Sequence, residues 1–131
     1  MMILFFLCVT FSAHALFDDY KAASAYSKQD FKKAQELYTQ QIVDEPHNAE
    51  LLFNAGDAAY RLQEYQQARA YFEQAVQHAD NKTLQEKAYY NLGNAYFKEK
   101  NLQQALDSYI KALKIDPEDE RAQHNKKVVE E

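Results

Sequence analysis

The chain of 131 residues contains one cysteine, two glycines, two prolines and no tryptophan. A lone cysteine, Cys8, offers no disulfide framework, so a fold must rest on its apolar core. With so little glycine and proline there is no composition for a long flexible linker, which points to one domain. Positive charge is also short. Fifteen Lys and Arg stand against 20 Asp and Glu, for a net charge of -5, and no basic stripe of the kind nucleic acid requires is present. Signatures of catalysis are missing too: no HExxH, CxxC, GxSxG or glycine-rich phosphate loop occurs. His14 lies in the apolar N-terminal stretch, His47, His78 and His124 are expected to lie far apart, in or beside loops, and His78 with Asp80 makes too few ligands for a metal. The sequence therefore predicts no catalytic residue, no cofactor, no metal and no nucleic-acid partner.

What is present falls into two parts. Residues 1–15 carry no charge, and Met1 to Phe11 is almost wholly apolar. Ala13-His14-Ala15 is a small-x-small site, so this stretch reads as an export leader cleaved after Ala15. No Lys or Arg precedes the apolar run, which leaves an uncleaved anchor or a buried core helix as the alternatives. The apolar stretch falls short of the roughly 20 residues a spanning helix needs. From Leu16 onward the chain is charged and periodic.

The periodicity is clearest from Lys87 to Pro117. Tyr89, Leu92, Gly93, Tyr96 and Phe97 recur at spacings of three and four, as one face of a helix does. Asn101 interrupts. Leu102, Ala105, Leu106, Tyr109, Ala112, Leu113 and Ile115 then form a second helical face, which Pro117 ends. The same slots are filled earlier by Leu52, Gly56, Ala59, Tyr60, Tyr65, Ala68, Phe72 and Ala75. They are filled again by Ala22, Ala25, Tyr26, Phe31, Ala34, Tyr38 and Pro46, 34 residues before the second copy. Gly56 and Gly93 are three residues further apart than that period, and the surplus is assigned to the loop Ala79 to Thr83. The small residues predict close helix crossings, and the aromatic ones predict fillers between helix pairs. Asp30 and Asn48 are expected N-caps. Asn81-Lys82-Thr83 is a glycosylation sequon, but Thr83 with Glu86 reads better as a capping box. After Pro117, Ala122, Asn125, Val128 and Val129 form a thin stripe suited to a terminal capping helix, with Glu118, Asp119 and Glu120 at its start.

This pattern closely resembles the tetratricopeptide repeat family over roughly residues 16 to 117. The resemblance implies an all-α right-handed superhelix of three helix-turn-helix repeats, at about 16–46, 49–80 and 86–117, followed by a capping helix at 118–131. It further implies a non-catalytic interaction module, binding a peptide or partner helix on the concave face lined by the first helix of each repeat. The matching positions are Phe53, Asn54, Asp57, Tyr60 and Arg61 in the second repeat, and Lys87, Tyr90, Asn91, Asn94, Phe97 and Lys98 in the third. The first repeat offers Asp19, Ala23 and Tyr26. Some members of the family clamp the terminal carboxylate of chaperones. Here Asn54 and Lys87 suit that clamp, whereas Asp19, Ala23 and Asn91 do not. The third repeat and tail are also similar to exported repeat segments linked to the bacterial Bat aerotolerance group. With the leader, that likeness implies a periplasmic or envelope-associated protein, in a membrane-linked complex. The competing expectation is a structural scaffold or homo-oligomer.

Overall fold

The computed structural model describes residues 16–131. The expected leader, with Cys8 and His14, lies outside the described residues. Within them there are seven helices and no strand. They are α1 (16–27), α2 (Phe31–Asp44), α3 (Ala49–Arg61), α4 (Tyr65–His78), α5 (Lys82–Lys98), α6 (Leu102–Ile115) and α7 (Glu120–Glu130). From α2 to α7 each helix packs against its chain neighbours, and α3 also meets α5. Ala22, Ala25 and Tyr26 bring α1 onto α2 and α3. The result is an all-α right-handed superhelix, with first helices on the inner side and second helices outside.

The two glycines sit at the tightest crossings. A Cβ on Gly56 would lie 2.7 Å from a ring carbon of Phe72, and one on Gly93 would lie 2.5 Å from Tyr109. Ala68 and Ala105 are wholly buried at the equivalent place on the outer helices. No glycine is left for the helix ends. α1, α3 and α5 finish instead with a left-handed residue, Gln29, Gln63 and Lys100 respectively, at φ 61–63°. The reversed bonds of a Schellman cap follow, such as Gln63 N to Tyr60 O and Glu64 N to Ala59 O. Asp30 and Asn48 cap α2 and α3 through their side chains, as the sequence predicts.

Three expectations are corrected. Thr83 does not cap α5. Asn81 does, its Oδ1 accepting from Leu84 N at 2.8 Å, because extended backbone at Asn81 aims that oxygen at the first free amides. Glu86, the other half of the expected capping box, is buried against α7 instead. The three surplus residues do not form a loop either. α5 has 17 residues against 13 for α3, and the turn before it, 79–81, is one residue shorter than 45–48, since a helix satisfies backbone groups internally. Finally, His47 and His78 are not far apart. Consecutive inter-repeat turns stack in space, and their rings lie 4.4 Å apart at 18°.

Candidate functional site: the concave face

The inner helices α1, α3, α5 and α7 stand side by side, and polar side chains cross the seams between them. Tyr26 of α1 donates its hydroxyl to Asp57 of α3, and Arg61 Nε donates back to the Tyr26 oxygen at 3.3 Å. Burial first, then Asp57, push the Tyr26 phenol up to about 12, so it stays a neutral donor. At the other seam Asn125 of α7 donates to Asn94 Oδ1 at 3.0 Å and to Tyr90 Oη at 3.3 Å. The Tyr109 hydroxyl reaches the same Asn94 oxygen at 2.8 Å. Tyr109 belongs to the outer helix α6. Its ring crosses α5 over Gly93, and only the missing Cβ lets the hydroxyl through to the inner face. Burial raises its pKa, so it too remains a donor.

These side chains bound two adjoining hollows. One, of about 340 Å³, is lined by Tyr60, Tyr90, Asn94, Phe97 and Tyr109 together with His124, Asn125 and Val128 of α7. The other, of about 280 Å³, is lined by Asp57, Tyr60, Arg61, Tyr90, Asn91 and Asn94. Tyr60, Tyr90 and Asn94 are common to both, so the two form one continuous depression.

Seven of the residues singled out from the sequence thus come together: Asp57, Tyr60, Arg61, Tyr90, Asn91, Asn94 and Phe97. Phe53 lies deeper, its ring 5.8 Å from Phe72 and packed on the core. Asn54, Lys87 and Lys98 line neither hollow, and the two lysines are exposed. Sequence reasoning did not pick out Tyr109, His124, Asn125 or Val128 for this face. The repeat period held the signal for α7: Asn125 falls 34 residues after Asn91, which falls 37 after Asn54. Nothing local marked Tyr109, because an outer-helix aromatic reads as core filler.

At the rim of α7, Arg121 lies over the Tyr90 ring at 4.6 Å and pairs with Asp119 at 2.9 Å. Beneath them Glu86 is buried. Desolvation, then Asp119, raise the pKa of Glu86, while the hydrogen bond from Arg121 holds Asp119 well below the usual carboxylate range. Away from this face, His47 and His78 border a polar depression with Glu45, Asn48, Glu50 and Asp80. Among the described residues no group of three or more His, Cys, Asp or Glu is placed to hold a metal ion. No helix among them is long and apolar enough to cross a membrane.

The same architecture recurs in solved structures. The chain is similar to the second TPR domain of human RPAP3 in complex with the HSP70 peptide SGPTIEEVD, at 22% identity and a TM-score of 0.83, covering 92% of this chain and 98% of that one. It is similar to the TPR domain of Arabidopsis OM64, at 26% identity and a TM-score of 0.81, covering 89% and 94%. It is similar to the N-terminal domain of stress-induced protein-1 from C. elegans, at 23% identity and a TM-score of 0.80, covering 91% and 96%. Two family models described as Tetratricopeptide repeat match residues 21–83 and 86–119. Together those matches span most of the chain, and the chain belongs to the tetratricopeptide repeat family.

Proposed function

We propose that the chain is a non-catalytic binding module that takes an extended peptide, or one face of a partner helix, in the depression between α3, α5 and α7. The carrying observation is the lining of the larger hollow. Four aromatic rings, from Tyr60, Tyr90, Phe97 and Tyr109, stand beside the amides of Asn94 and Asn125, with no carboxylate or lysine among them. Rings supply contact area at small entropic cost, and amides pair with peptide N–H and C=O groups. Similar structures hold peptides: the RPAP3 domain above, the first TPR of Spaghetti (RPAP3) with the HSP90 peptide SRMEEVD, and the TPR2B domain of yeast Sti1 in its pHsp70 complex.

The occupant here is expected to differ from those acidic EEVD tails. By the family resemblance Asp19 matches a position that carboxylate-clamping members fill with a lysine, and here it is a carboxylate that accepts a hydrogen bond from Gln41 at 2.8 Å. The favoured ligand is an internal peptide segment with an apolar side chain for the ring-lined hollow. Selecting a phage-displayed library of random dodecapeptides on the immobilised chain tests this. Selected peptides should bind with a Kd of roughly micromolar, about -8 kcal/mol. Phe97→Ala should weaken them by about 2 kcal/mol, some thirtyfold. Phe97 is 38% exposed, so its removal spares the core. A library that yields no binder, or binders indifferent to Phe97→Ala, would sink the reading.

The same proposal places the module outside the cytoplasm, as part of a membrane-linked assembly. It rests on the apolar run and Ala13-His14-Ala15, and on the likeness of the third repeat and tail to Bat-linked exported segments. A second reading, self-association, is favoured by one observation: Leu16, Phe17 and Tyr20 are 68%, 55% and 70% exposed at the first-repeat edge. Molar mass by light scattering separates the two readings, since a groove binder without ligand stays monomeric on concentration.

A further inference from the structure

α7 is held to the molecule by very little apolar surface. Of its residues only Ala122 is buried. It packs on α6, and polar contacts fix it toward α5. Asp119 caps the helix, accepting from Arg121 N at 2.9 Å and Ala122 N at 3.4 Å, and its carboxylate takes the Arg121 guanidinium at 2.9 and 3.0 Å. Behind Asp119 lies Glu86 of α5. The Glu86 side chain is 8% exposed and that of Asp119 5%, so two carboxyl groups are enclosed side by side at the seam.

The charges bearing on Glu86 come from α7 and from the turn before it. Asp119 and Asp116 are negative. Arg121 is positive, with its Nη2 3.9 Å from Glu86 Oε1, too far to be a hydrogen bond. Oε1 of Glu86 has no hydrogen-bond partner. Ionised, this carboxylate is desolvated, left with an orphan oxygen and set beside a like charge, all unfavourable. Protonated, it donates to the carboxylate that caps α7.

We propose that α7 is a proton-sensitive wall of the concave depression: one proton shared by Glu86 and Asp119 holds it against α5, and loss of that proton loosens it. Because α7 brings His124, Asn125 and Val128 to the hollow, the state of this pair sets whether the hollow is closed on that side. The consequence for ligand rests on the reading of the hollow as the binding site; the docking of α7 does not.

The direction follows from linkage. Burial and Asp119 push Glu86 from 4.5 up to about 7. A released α7 would return Glu86 to its ordinary range. Docking therefore takes up a proton between those limits, and it weakens as pH rises through them. Asp119 has the opposite sign. Its pKa is lowered to about 2 from 3.8, so its contribution is lost only as pH falls through that range, well below the interval tested.

The test is amide hydrogen exchange of the full chain at several pH values from 5 to 8, without ligand, corrected for intrinsic rates and referenced to α3. Protection of α7 should fall roughly tenfold or more across that interval. Glu86→Gln keeps a donor toward Asp119 and cannot ionise, so its α7 protection should be flat. His124→Gln, which removes the histidine of α7, should retain the wild-type slope. A flat wild-type profile overturns the switch, as does a slope that survives Glu86→Gln or vanishes with His124→Gln. Since no ligand is present, that failure would leave the peptide reading standing. A failed peptide selection would likewise leave the exchange result intact.

Discussion

At Gly93 the space a Cβ would occupy is taken by the Tyr109 ring, and at Gly56 by the Phe72 ring. Both rings are fully buried, Tyr109 at 1% and Phe72 at 0% exposure, so neither has room to swing away. Two effects compete in Gly93→Ala. Alanine favours a helix interior by about 1 kcal/mol over glycine. A methyl driven to 2.5 Å from a ring carbon in a packed core costs more, about 1–3 kcal/mol, with the backbone shifts that follow. The expected net is a destabilisation of up to about 2 kcal/mol, seen as a lower thermal midpoint by circular dichroism. A midpoint that rises would mean propensity wins and the ring has room after all. The substitution would also withdraw the Tyr109 hydroxyl from Asn94.

The helix ends show the cost of scarce glycine. Gln29, Gln63 and Lys100 occupy the left-handed position where glycine is most at ease. A non-glycine residue there costs roughly 1–2 kcal/mol, partly offset because glycine loses more entropy on folding. Gln63 is exposed, so Gln63→Gly forfeits no packing. It should stabilise by about 0.5–1 kcal/mol, read as a higher urea midpoint at unchanged slope. A lower midpoint would show that the Gln63 side chain contributes something its exposure hides. The capping helix is the opposite case. Its own sequence forms a helix with a good N-cap at Asp119, but one buried alanine gives it little hold. Its place is therefore set by its packing on α6 and by polar partners on α5, Glu86, Tyr90 and Asn94.

Across the whole molecule each helix pair covers the apolar face of the next. Arg69 of α4 ties this stacking to the third repeat, bonding Glu99 at 2.8 Å and lying 5.5 Å from the Tyr96 ring. At α7 one apolar residue, Val128, is exposed among polar ones, whereas at α1 Leu16, Phe17 and Tyr20 are all exposed. Export is a question at this scale too, since it concerns the chain as delivered rather than the fold. If residues 1–15 act as a leader, N-terminal sequencing of the protein from the envelope fraction should begin at Leu16. Recovery of an intact Met1 would turn the reading toward an anchor or a core helix.

The sequence by itself determined the helix pairs, the family and the rows of small and aromatic residues, because helical spacing and a repeat period are local and linear. The family resemblance that this period supports also put Asp57, Tyr60, Arg61, Tyr90, Asn91, Asn94 and Phe97 on one inner face. It misjudged Thr83, where an asparagine two residues earlier was the better cap, and His47 with His78, whose turns meet only once repeats stack. The tertiary structure alone decided that Phe53 sinks toward Phe72, that Tyr109 reaches through the gap at Gly93, and that Glu86 is shut in beside Asp119. Those outcomes depend on how far one helix stands from another and on which side chains share a seam. No spacing along a single strand of sequence encodes such distances, because they are set by the packed volumes of every residue between.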